Sequence, residues 1–315
     1  RAVQLQNLPR NYVEPLEDIN GHFRTEDFET LEMMYGGDIS KIQSELIRTM
    51  FIAKKGHTFA VADFSAIEAR VIAWLADEKW RLDVFATHGK IYEASAASMF
   101  GINIDDVTPE ERSKGKVCEL ALGYQGSKGA LAAMGAEKMG MSEDVMQELV
   151  DAWREANPRI KKLWKTCNEA AILAVTHRKA VTIDKGIVFD CDDSTLTIRL
   201  PSGRKLYYQD VEIGTNKWGW ANVKYSGYPT TSRKWSLIST YGGKLVENIV
   251  QAIARDILVV SMERLKAAGY PICCHVHDEI LSEVALESAE SDLRRIEKIM
   301  SKNIDWADGL VSGVD

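Results

Sequence analysis

Asp63 and Asp278 stand out by where they fall. Asp63 closes the apolar run "HTFAVADFS", and Asp278 follows "ICCHV" with His277 before it and Glu279 after it. In a straight strand Ile272, Cys274 and Val276 would share one face, and Asp278 would follow them inward. An isolated buried carboxylate takes up a proton rather than stay charged. A β-hairpin tip at 277–279, or a cation that meets Asp278, avoids that outcome. If adjacent strands of one sheet bring Asp63 and Asp278 together, one of them is protonated unless cations lie between. A pair of Mg2+ ions meets the demand, since Mg2+ takes one or two carboxylates together with phosphate oxygens and water. Two metals about 4 Å apart are also a device for in-line displacement at phosphorus. Taken separately, each residue has a plainer reading: Asp63 as a helix start, Asp278 as a turn residue.

A second set lies in "RSKGKVCELALGYQG", where Arg112, Lys116, Leu120 and Tyr124 recur at four-residue steps. On a helix they form one slowly rotating stripe. Two cations a turn apart suit a polyphosphate, Lys as a point charge and Arg as a fork, with Leu120 and Tyr124 facing a sugar and a base. A solvated basic helix start with Leu and Tyr in the core fits the spacing equally well. Cations early in a helix run against its dipole, which points to an anion there.

Elements must carry these groups. "HTFAVADFS" reads as a buried strand and "SAIEARVIAWLADEKW" as a helix whose apolar face is Ile67, Val71, Ile72 and Leu75. Ser65 as N-cap with Glu68 three residues on would make a capping box. Residues 89–176 read as helical, broken at Gly101, around Gly123–Gly126 and at Asn157-Pro158. Residues 180–213 read as β-structure with a hairpin turn at Pro201-Ser202-Gly203, and 214–235 as a Trp- and Gly-rich loop. A helix at about 244–267, the strand at 272–276 and a last helix, "ESDLRRIEKIMSKNI", complete the pattern, while the first 50 residues mix turn signals with one amphipathic stretch, "SKIQSELIRTMF". Irregular alternation of helices and strands predicts an α+β fold, a mixed sheet with helical insertions.

The 315 residues suffice for one large domain or two smaller ones, and a 45% apolar fraction suits a packed core. No run reaches the roughly 18 apolar residues of a membrane span, and Arg1 does not open a signal peptide, so no membrane partner is expected. Five cysteines without a CxxC pair fit a reduced, cytoplasmic setting. A net charge of −7 argues against a broad nucleic-acid footprint. Local basic stripes remain at "RSKGK" (112–116) and "RIKKLWK" (159–165).

"DFSAIEARVIAWLA", "RSKGKVCELALGYQG" and "HVHDE", in that order, resemble the three polymerase motifs of family A DNA polymerases. "LQNLPR", "IRTMFIA", "ASAASMFGI", "LPSGRKLYYQDVEI" and "VENIVQAIARDI" extend the resemblance over nearly the whole chain, with phrasing closer to bacteriophage than to bacterial enzymes. The resemblance implies a right-hand architecture: an antiparallel-sheet palm at 1–75 and 241–315, and largely helical fingers at 76–240. Thumb and 3′–5′ exonuclease are expected to be absent, and the C-terminus to stop before the family's final strand.

By that resemblance the activity is template-directed DNA synthesis. Asp63, Asp278 and the Phe64 carbonyl hold two Mg2+ ions, for which Mn2+ can substitute. Arg112 and Lys116 grip the dNTP triphosphate, with Lys116 as the acid for the leaving group and Tyr92 near the β-phosphate. Glu68 and Tyr124 exclude a ribose 2′-OH, and Leu120 meets the nucleotide. Asn7, Gln251 and His277 touch the primer terminus or minor groove, and Glu279 supports the metal ligands from behind. Implied partners are primer–template DNA, dNTPs, and an upstream thumb/exonuclease portion or a processivity factor; the implied setting is the cytoplasm of a host cell.

This sequence departs from the family at Leu120 (usually Phe or Tyr), Tyr92 (commonly His), Ala66 (commonly Gln), Gly243 (Arg) and Glu247 (Asn). Leu120 leaves dideoxynucleotide discrimination open. Rival readings are a non-catalytic DNA-binding remnant, a metal-dependent nuclease, which needs no Arg112/Lys116 stripe, and a single-subunit RNA polymerase, against which the bulky acid Glu68 argues.

Overall fold

The computed structural model describes residues 8–9, 13–36, 38–216, 219–229 and 232–315. Among them, α1 (Leu16–Arg24), α2 (Phe28–Tyr35) and α3 (Ile39–Glu45) precede strand β1 (His57–Asp63). A helical run follows: α4 (Ile67–Ala76), α5 (Lys79–Thr87), α6 (Ile91–Phe100), α7 (Pro109–Leu122), α8 (Lys128–Ala133), α9 (Glu143–Ala156) and α10 (Pro158–His177). Then come β2 (Val181–Thr182), β3 (Val188–Asp192), β4 (Thr195–Arg199), β5 (Lys205–Thr215), β6 (Ala221–Gly227) and β7 (Ser236–Ser239). The long α11 (Gly242–Ala267), the hairpin β8 (Ile272–Val276) and β9 (Glu279–Ala285), and α12 (Ala289–Met300) end the order. No helix among the described residues is long and apolar enough to cross a membrane.

The chain packs as two compact units. The first, Arg1–Asp63 with Arg264–Glu297, holds an antiparallel sheet in the order β1-β9-β8. Its register pairs His57 with Ala285, Val61 with Leu281 and Asp63 with Glu279, while Val276 pairs with Glu279 from the other side. Period-2 alternation sends Ile280, Ser282 and Val284 to a buried face and Leu281 and Glu279 to the other. Ile19, Leu31, Ile42 and Leu46 form a small helical core, so the opening residues hold two helices, α1 and α2, that turn signals alone did not predict.

The second unit, Phe64–Glu263 with Lys298–Asp315, carries the helical run and the antiparallel sheet β2-β3-β4-β5-β6-β7, on which α10 packs. Its helices are locked by a buried polar network. Arg81 (α5) donates to both Glu119 oxygens (α7) at 2.7 and 2.5 Å and to Asn157 at 2.6 Å; Ser95 (α6) and Trp153 (α9) donate to Glu119 at 2.7 and 2.9 Å. The Glu78 carboxylate accepts from the Arg159 amide at 2.8 Å and so caps α10 from outside that helix. A capping box of Thr108 and Glu111 with Pro109 at the first position starts α7. Gly242 and Gly243 start α11 where no side chain fits: a Cβ would lie 1.9 Å from the Trp164 carbonyl oxygen or 2.3 Å from that of Tyr124.

Local expectations need correction at four places. Helix α4 starts at Ile67 behind a left-handed Ala66 that makes no side-chain cap, so Ser65 and Glu68 form no capping box; the Ser65 carbonyl instead accepts from Arg70 Nε at 2.7 Å. The Trp- and Gly-rich stretch 214–235 contains β6, with β7 directly after it, because β-branched and aromatic residues there outweigh the glycines. Helix α7 ends at Leu122, which leaves Tyr124 beyond it. Strands β1 and β8 are not neighbours; β9 lies between them.

Candidate active site

Asp63 is the last residue of β1, exposed, and directly opposite Glu279. The β8–β9 turn consists of His277 and Asp278, with His277 at φ +54°, an uncommon backbone for a non-glycine residue. The acid pair at 278–279 is therefore a hairpin tip, and no apolar interior receives it. Asp63, His277, Asp278 and Glu279 line one groove of about 760 Å³ with Val61, Leu281 and Cys273. Arg48 lines it too, donating to the Leu8 and Pro9 carbonyls at 3.0 Å. It puts a cation among the acids; sequence reading missed it, although the stretch "IRTMFIA" contains it.

The donors here are hard oxygens on open positions. Among the described residues no three His, Cys, Asp or Glu side chains converge on a closed metal site. Mg2+ does not demand one, since it keeps waters and substrate oxygens beside one or two carboxylates. The set fits that ion and would not suit a structural Zn2+. Phe64, next in the chain, is buried and bridges Val314, while the Ser65 amide donates to Gly313 at 2.9 Å.

In the second unit α7 presents Arg112, Lys116 and Leu120 to solvent, with Leu120 48% exposed, so this part of the stripe is not core. Tyr92 on α6 lies beneath both cations: the Arg112 guanidinium is 5.6 Å and the Lys116 ammonium 5.7 Å from its ring centre. Arg112 Nε also donates to Glu93 Oε1 at 2.7 Å, so an internal carboxylate occupies the place of the anion that the helix dipole led us to expect. Beyond the helix end, the Tyr124 hydroxyl donates to Glu68 Oε2 at 2.5 Å. Burial, with the Glu68 charge and hydrogen bond adding to it, pushes the Tyr124 phenol well above its ordinary range. Glu247 is paired with Lys244 at 2.9 Å, and Gln251 stands exposed on α11. Asn7 lies outside the described residues.

The chain matches the model of DNA polymerase family A over residues 4–182, more than half its length, and belongs to that family. It is 49% identical over 313 residues to a DNA polymerase of Bacillus phage SP02, covering 98% of this chain and 48% of the relative. It is 26% identical over 249 residues to DNA polymerase I of Caldicellulosiruptor bescii, covering 79% of this chain and 25% of the relative. Among solved structures, the POL domain of Pol1 from M. smegmatis, in complex with DNA primer-template and dNTP, superposes with a TM-score of 0.60 at 18% identity, over 99% of this chain and 43% of that one. The likeness bears out the expected α+β polymerase fold. The chain spans about half the length, or less, of these relatives.

Proposed function

We propose that this chain supplies the palm (1–75 and 241–315) and fingers (76–240) of a template-directed DNA polymerase that transfers a nucleotidyl group from dNTP to a primer 3′-OH. The single observation that carries the proposal is the groove in which Asp63, at the end of β1, and Asp278, in the β8–β9 turn of the same sheet, meet the same space. Family membership, and the likeness to a Pol1 domain that binds primer-template and dNTP, support the same substrates here.

Asp63, Asp278 and the Phe64 carbonyl would hold two Mg2+ ions, or Mn2+ in their place, which when bound supply charge stabilisation at the attacking and leaving oxygens. Glu279, opposite Asp63, holds the local field negative and orients the ligands. Arg112 exchanges Glu93 for a phosphate oxygen of the incoming nucleotide, and its planar fork suits that partner. Lys116 Nζ gives a proton to the leaving pyrophosphate oxygen. Tyr92 holds both cations by its ring face and meets the β-phosphate through its hydroxyl. Leu120 packs on the sugar. The Glu68–Tyr124 pair closes the space a ribose 2′-OH would need. Asn7, His277 and Gln251 contact the primer end or the minor groove.

An upstream thumb, an exonuclease portion or a processivity factor would act on the same DNA, and the host cytoplasm is the fitting compartment. The rival is a DNA-binding remnant. Primer extension with a labelled primer–template, Mg2+ and dNTPs separates the readings. Template-directed lengthening establishes the polymerase, shortening indicates a nuclease, and binding without either result sinks the catalytic reading in favour of the remnant.

A further inference from the structure

Strand β8 carries two adjacent cysteines, Cys273 and Cys274, that the chemistry above leaves unused. In a regular strand neighbouring side chains point to opposite faces, which would part the two thiols. Here the register breaks. Ile272 pairs with Ser282 and Cys274 with Leu281, so two steps along β8 answer one step along β9. Cys273 is the extra residue of a β-bulge, a device that re-aims a side chain. Both cysteines accordingly line the groove of Asp63 and Asp278, beside Leu281.

Their surroundings set an order of reaction. Cys273 is exposed and Cys274 half-buried, whereas Cys118, Cys167 and Cys191 are buried. The pair therefore holds the thiols that a reagent in solution can reach. Burial, and after it Cys273 and Glu279, push the Cys274 thiol up. Exposure makes Cys273 the first to react, and Cys274, next in the chain and in the same groove, follows. Strand β8 lies at the edge of the sheet β1-β9-β8, so its backbone has room to adjust on one side.

Among the described residues no group of three His, Cys, Asp or Glu offers a metal site, so the pair is not part of a closed thiolate centre. Sulfur–sulfur exchange is the chemistry that two neighbouring thiols in an open groove can carry out.

We propose that Cys273 and Cys274 form a reversible modification site, oxidised as a pair by a low-molecular-weight disulfide, and that their oxidation stops nucleotide addition. The second clause rests on the polymerase reading. The Cys273 thiolate attacks one sulfur of the reagent, forms a mixed disulfide and expels one thiolate. The Cys274 thiolate then attacks the Cys273 sulfur, forms the Cys273–Cys274 bond and expels the other. The protein thiols lose two electrons and two protons, and the reagent is reduced to two thiols. Adjacent Cα atoms lie about 3.8 Å apart, closer than a disulfide usually spans, so free thiol reopens the bond readily. The closed ring distorts the hairpin whose turn holds Asp278, in the groove that the primer end would need.

The test treats the full chain with glutathione disulfide at neutral pH and reads intact mass and primer extension on the same samples. The parent should lose two hydrogens, retain no glutathione and lose extension; dithiothreitol should restore both. Cys274→Ser should stop at the mixed disulfide and retain one glutathione. Cys273→Ser should keep its mass and its extension over the same interval. A parent that stays reduced, or that retains glutathione as Cys274→Ser does, overturns the inference. Oxidation that digestion maps to Cys118, Cys167 or Cys191 overturns it as well. The two readouts separate the claims. Oxidation of the pair in a chain that extends no primer even when reduced keeps the modification site and counts against the polymerase reading. Extension that survives complete oxidation of the pair overturns the site's control of the chemistry.

Discussion

The Tyr124 hydroxyl donates a 2.5 Å hydrogen bond to Glu68 Oε2, joining the residue just past the end of α7 to the first turn of α4. A half-buried phenol held by a carboxylate is a stiff wall, and stiffness is what a sugar filter requires. Glu68→Ala should raise ribonucleotide incorporation about tenfold relative to dNTP, and Tyr124→Phe should raise it less, since the ring stays. Competition between the two nucleotide classes on one template measures the ratio; an unchanged ratio in Glu68→Ala removes it from the filter.

The same pair makes the fold alkali-sensitive. Burial pushes the Tyr124 phenol well above its ordinary value and Tyr208 up to about 12, the latter while accepting from Asn248 at 2.8 Å. Above the ordinary phenol value the unfolded chain releases protons that the folded chain keeps. The stabilisation is therefore full below about pH 10 and lost as pH climbs, by up to about 1.4 kcal/mol per pH unit for each phenol. The buried thiols Cys118 and Cys167, pushed up to about 12, act in the same direction from about pH 9. Denaturant titrations at rising pH should show Tyr208→Phe with the shallower decline; an identical slope would contradict the assignment.

The thiols also differ in reach. Cys118 and Cys167 are buried and held as thiols, whereas Cys273 is exposed in the groove that contains Asp63 and Asp278. Maleimide at neutral pH should label Cys273 in the native chain, spare Cys118 and Cys167, and block primer extension. Cys273→Ser should protect activity. Equal inactivation of that variant would place the sensitive thiol elsewhere.

Arg81 and Glu119 form the most buried ion pair among the described residues. Glu119→Ala leaves the guanidinium without its bidentate partner and strips acceptors from Ser95 and Trp153. A loss of about 3–5 kcal/mol in unfolding free energy is expected. A change below about 1 kcal/mol in chemical denaturation would mean that the network relaxes around the gap.

Sequence alone made much of the fold legible, for physical reasons. The breaks at Gly101, Gly123–Gly126 and Asn157-Pro158 were visible because glycine and proline act through the backbone, whatever the packing. The hairpin at Pro201-Ser202-Gly203 was visible for the same reason. The α7 stripe showed in its spacing as far as Leu120, but the Trp164 indole that donates to the Gly123 carbonyl just past the helix, 41 residues away in the chain, did not. The interposition of β9 between β1 and β8 was hidden because strand order is a tertiary choice. Glu119 and Arg81 were invisible as partners, 38 residues apart and each ordinary in its own helix. Arg48 carried no local signal beyond its charge.

Asp63 and Asp278 must act at one centre for the proposed chemistry to proceed, and isosteric variants test that most directly. Asp63→Asn and Asp278→Asn should each lower Mg2+-dependent nucleotide addition by about a thousandfold or more, the several kcal/mol that bound metal contributes. Primer–template affinity, measured by anisotropy on the same samples, should stay within about threefold of the parent. Extension near the parent rate in either variant, with folding intact, would contradict the assignment of these carboxylates to the catalytic centre.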